Sequence, residues 1–103
     1  MVDSWVMPDV PGGAATPASG VHDAASRLES LITALPQDAR REKALYHLER
    51  LRMAFQSSHQ EAVRFAAFTV NKTVHDAAAD WGTEISTAMD ALRDSLHRAG
   101  HDF

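Results

Sequence analysis

The sequence predicts an all-α fold: an antiparallel helical hairpin extended to a three- or four-helix bundle that assembles as a homo-oligomer. Three observations predict it. Apolar residues recur at three- and four-residue spacing from Val21 to Leu96. Helix breakers and caps divide that pattern at a few places only. The stretch around Phe65 is apolar on nearly every side and calls for a cover beyond one small chain.

The chain has 103 residues and therefore room for one domain. Residues 1–20 hold three of the four prolines and three of the five glycines, which predicts a flexible N-terminal arm contributing little to the fold. Trp5, Val6 and Met7 form its one apolar cluster, which could dock on a groove of the body or of a neighbour. Residues 21–100 are then a single helical domain.

Val21, Ala24, Ala25, Leu28, Leu31, Ile32 and Leu35 line one helical face. Ser19 can cap its start, and Pro36 ends it because the residue before proline avoids the helical region. After a tight turn, either Pro36 or Asp38 opens a second helix that buries Ala44, Leu45, Leu48, Leu51 and Phe55. So short a connection makes the two helices antiparallel. Ser58 and Glu61 have the spacing of a capping box, which would start a third helix after a break at 56–59. Without that break the rod would be on the order of 90 Å long at 1.5 Å per residue.

Ala62, Val63, Phe65, Ala66, Ala67, Phe68 and Val70 leave the third helix almost no polar side. Helices that are apolar all round are buried all round. Val63, Phe65, Phe68 and Val70 are accordingly expected at an oligomer interface. Gly82 followed by Thr83 can end one helix and cap the next, or the glycine can sit inside a longer helix; the residues leave both open. A last amphipathic run uses Ile85, Ala88, Leu92, Leu96 and Ala99, with His97 and Arg98 before Gly100.

Chemistry is fainter than architecture. There is no cysteine, which removes disulfides, thiolate zinc sites and cysteine nucleophiles. The first residues lack the basic start and long apolar run of a signal peptide, and no stretch is long enough for a membrane span. A cytoplasmic, non-membrane protein is the expectation. His97 and His101 have the spacing of a helical metal pair, but Gly100 lies between them and no third ligand is evident beyond Asp102, so no metal or other cofactor is expected. Asp76, Asp80 and Glu84 rise at four-residue intervals, best read as a solvated face or a partner for the basic second helix. No glycine-rich phosphate loop is present. An enzyme is not expected.

Five of the ten basic residues are Arg40, Arg41, Lys43, Arg50 and Arg52, although the net charge is −4. The first three lie in the opening turns of the second helix, where free N–H groups and the dipole favour anions. With Tyr46, His47 and Arg50 they make a candidate site for a phosphate-bearing small molecule: Arg40, Arg41, Lys43, Tyr46, His47 and Arg50. The competing reading is that Asp38, Glu42, Glu49 and later acids neutralise this face.

Leu35-Pro36, then Ala44-Leu45, Leu48-Glu49 and Arg52-Met53, fall at spacings that resemble the turn and second helix of phage helical-hairpin proteins that sequester cyclic-nucleotide immune signals, the anti-CBASS sponges. The resemblance covers residues 35–53, with Tyr46 and Phe55 where other types would stand and some forty further residues after the hairpin. It implies a homo-oligomer that holds a phosphorylated ligand between subunits for immune evasion, without hydrolysing it. Two other readings stand beside it. One is a structural or adaptor protein that binds a protein partner. The other takes the hairpin as a helix-turn-helix with Arg40, Arg41, Lys43 and His47 at a DNA groove; the acidic total makes nucleic acid the weaker partner.

Overall fold

A computed structural model describes residues 17–103. The expectations for Trp5, Val6 and Met7 lie outside the described residues. Those described are helical throughout apart from turns: α1 (Pro17–Thr33), α2 (Ala39–Gln56), α3 (Gln60–Asp76), α4 (Ala78–Trp81) and α5 (Thr83–Arg98). None of these helices is long and apolar enough to cross a membrane.

Helix α1 starts at Pro17, ahead of the expected boundary at Val21, so Ser19 lies in its first turn and not at the position before it. Proline suits a first helical position because the N–H it lacks would go unused there. The helix stops before Pro36, and the Leu35 N–H donates to the Ile32 carbonyl at 3.0 Å. Asp38 caps α2: its Oδ1 accepts the Arg41 backbone N–H at 3.0 Å. That bond is the main reason its carboxyl lies below the usual aspartate range.

The break at 56–59 is present, but its chemistry differs from the capping box. Ser58 adopts a left-handed φ of 57°. Its N–H donates to the Phe55 carbonyl and the His59 N–H to the Ala54 carbonyl, at 3.2 and 3.0 Å. These two bonds form a Schellman ending to α2, with serine where glycine usually stands. His59 precedes α3 and gives it no side-chain cap. Gly100 closes α5 in the same way, with φ 93° and the His101 N–H donating to the Leu96 carbonyl at 2.8 Å.

Gly82 separates α4 from α5 at φ 92° and ψ 168°, a conformation that side-chain-bearing residues almost never adopt. A further interruption at Ala77, between α3 and α4, has no proline or glycine to announce it.

Two antiparallel pairs, α2 with α3 and α1 with α5, make the most extensive contacts, and α1–α2 and α3–α5 contacts close the bundle. The core is one cluster, and Leu28, Ile32, Leu48, Leu51, Met89, Leu92 and Leu96 are fully buried in it. Arg52 ties the first hairpin by pairing with Glu29 and donating to the Ser26 hydroxyl.

Helix α3 corrects the expectation of burial on all sides. Val63, Ala66, Ala67, Val70, Thr73 and Val74 form a single buried stripe. Val63 and Val70 are wholly covered by the chain's own core and so are not on the surface to form an oligomer interface. Phe65 and Phe68 point outward, 67% and 55% exposed.

Candidate functional site

The six residues expected to hold a phosphate do not converge. Arg40 and Arg41 turn away into contacts within the chain. Arg40 donates from Nη1 to Asp80 Oδ2 at 2.9 Å and from Nη2 to Asp38 Oδ2 at 3.3 Å, and its guanidinium lies 5.9 Å from the centre of the Trp81 ring. Arg41 pairs with Glu42 and donates from Nη2 to the Thr33 carbonyl at 3.2 Å, capping the end of α1 from the start of α2. Both arginines act as ties. Lys43 is exposed and, among the described residues, has no ion-pair partner.

Tyr46, His47 and Arg50 do come together, on the outer face of α2. The Tyr46 and His47 rings meet edge to face at 5.1 Å, and the Arg50 guanidinium lies 5.7 Å from the Tyr46 ring centre. His47 also meets Phe65 of α3, ring centres 6.2 Å apart. Partial burial, then the nearby charges of Lys43 and Arg50, hold the His47 pKa below the usual histidine range, favouring the neutral ring.

Phe65 links two grooves. One, of about 410 Å³, runs between α2 and α3 over His47, Arg50, Met53, Ser57, His59 and Phe65, with Ala54, Ala62 and Ala66 forming its floor. The other, of about 350 Å³, is bounded by Glu61, Arg64, Phe65, Phe68 and Phe103. Tyr46, Met53, Phe65 and Phe68 are the large apolar side chains left exposed among the described residues, and all four stand on this hairpin. Met53, His59 and Phe103 belong to the surface but were not among the residues expected there. Met53 was legible only as part of an amphipathic helix, and Phe103 reaches the groove through the turn after α5, in which its ring meets His97 at 5.8 Å.

The other candidate groups are engaged locally. Asp76 pairs with Lys72 at 3.1 Å, Asp80 with Arg40, and Glu84 with Arg27 at 3.5 Å. His97 faces Asp102 at 3.5 Å, while His101 packs on Phe55 with ring centres 5.5 Å apart. Among the described residues no three metal-ligating side chains are placed to share an ion.

No protein-family model, curated protein or solved structure matches this chain.

Proposed function

We propose that this chain is a non-enzymatic interaction protein that assembles as a homo-oligomer through the outer face of the α2–α3 hairpin. The observation that carries the reading is the grouping of Tyr46, Met53, Phe65 and Phe68 on one hairpin, linked through His47. Soluble proteins scatter exposed apolar residues, whereas a connected strip of them marks a contact surface. Aromatic residues, methionine and arginine are also the types enriched in such surfaces. Arg50 and Arg64 lie beside Glu49 and Glu61, and among the described residues none of the four has an ion-pair partner. Both signs of charge on one face suit an isologous pairing, in which each copy can offer an acid to the other's arginine.

The phosphate-ligand reading, with its phage-sponge precedent, loses Arg40 and Arg41 to intramolecular ties and rests on Tyr46, His47 and Arg50 alone. Light scattering at micromolar concentration tests the assembly. Wild type should be larger than one chain, and Phe65→Asp should reduce it to a monomer with unchanged helical content. A monomeric wild type overturns the reading.

A further inference from the structure

His47 is half-buried in the middle of the aromatic strip. Its ring meets Tyr46 at 5.1 Å on its own helix and Phe65 at 6.2 Å on α3, so it joins the exposed rings of the two helices. The charges around it are of one sign. Lys43 and Arg50, four positions before it and three after, share its face of α2, whereas Glu49, two positions on, does not. His59, from the turn between α2 and α3, lines the same groove, and α3 adds only Ala62, Phe65 and Ala66 to it. Glu61 and Arg64 of α3 border the neighbouring groove. On α1, Glu29 is held by Arg52 and Arg27 by Glu84 of α5. Among the described residues no carboxylate lines the groove of His47, so nothing there balances a proton on its ring.

We propose that self-association through this strip is gated by pH, with His47 as the gate. A neutral ring is one more flat surface between Tyr46 and Phe65. A protonated ring adds a cation beside Lys43 and Arg50, on a face that a second copy must strip of water. An unpaired charge buried there opposes the contact. The proposal rests on the assignment of the strip to contact between copies and adds the condition under which that contact holds. Burial and the two cations already hold the His47 pKa low in the single chain, and a second copy adds to the burial. The free chain therefore takes up a proton that the pair excludes. Association is at full strength above the free chain's value and weakens as pH falls through it. The overall charge acts the other way. It is −4 with the histidines neutral and moves toward zero on acidification, which relieves repulsion between copies. Weaker association in acid thus has a local source.

Sedimentation equilibrium of the full chain at about pH 7.5, 6.5 and 5.5 tests this, with helical content followed by circular dichroism. The dissociation constant of wild type should rise about tenfold or more across the series, at unchanged helicity. His47→Phe keeps a ring that cannot be protonated and should hold the constant steady. His47→Lys should be monomeric already at the highest pH. His75→Gln, at the other end of α3, should follow wild type. An oligomeric wild type whose dissociation constant ignores pH overturns the gate and leaves the strip's assignment standing. So does His47→Phe weakening as wild type does, His47→Lys associating as tightly as wild type, or dissociation that tracks loss of helix. A wild type monomeric at every pH overturns the assignment itself, and the gate with it.

Discussion

Arg40 and Asp80 are forty positions apart in sequence and 2.9 Å apart in space, joining the first turn of α2 to the short α4. The two side chains are 42% and 67% exposed, so solvent screens the pair and leaves it a weak tie. The Trp81 ring adjoining Arg40 adds a cation–π attraction to it. Arg40→Ala should therefore lower the urea midpoint slightly, since it removes both contacts. Asp80→Asn should lower it less, because the ring contact stays. Equal losses from the two would show that the ring contributes nothing.

Ser58 adopts a left-handed backbone at the end of α2, which costs an L-residue roughly 1–2 kcal/mol. Glycine removes that cost but adds freedom to the unfolded chain. Ser58→Gly should raise stability by about 0.5–1 kcal/mol. A fall in the urea midpoint would count against this geometry.

Gly82 gives the opposite test. A side chain there meets nothing within 4 Å, so sterics with neighbours play no part. The backbone conformation itself is the obstacle, and Gly82→Ala should cost about 1–3 kcal/mol. A neutral substitution would mean that α4 and α5 join into a continuous helix without loss.

His47 makes stability depend on acidity. Its pKa in the folded chain lies below the ordinary value near 6.5, so the unfolded chain takes up the proton first as pH falls. Its contribution is intact above about pH 6.5 and declines as pH drops from there toward the folded value. His47→Gln should flatten the decline in thermal midpoint between about pH 7 and about pH 5.5 relative to wild type. Parallel curves for the two proteins would exclude His47 as its source.

The helical pattern was legible wherever burial follows one stripe. Val21, Ala25, Leu28 and Ile32 are the clearest case, and the stop at Pro36 follows from backbone chemistry, whereas Gly82 suited a break and a longer helix equally until the fold chose the break. Helix α3 was misread because Phe65 and Phe68 are apolar yet exposed, and with the half-buried Ala62 they widened the stripe that Val63, Ala66, Ala67, Val70 and Val74 define. Ser58 was read as a cap because the spacing to Glu61 fits one; the left-handed turn that uses it depends on backbone angles that composition does not encode. At the candidate site, the positive cluster on α2 was plain. Which arginines were already engaged depended on Asp80 and the Thr33 carbonyl, partners that only the folded chain brings near.

The short α4 also determines where the bundle loosens first. It is four residues long, bounded by Ala77 and by Gly82, and so keeps few of the backbone bonds that protect a longer helix. Segments of that kind open at a fraction of the global unfolding free energy. Amide exchange should therefore be fastest there among the helices, and each opening frees Asp80 from Arg40 at the start of α2. The other end, where α2 turns into α3, has Schellman bonds of its own and should exchange more slowly. On that expectation the molecule should breathe at one pole while the opposite pole, which carries the aromatic strip, keeps its shape.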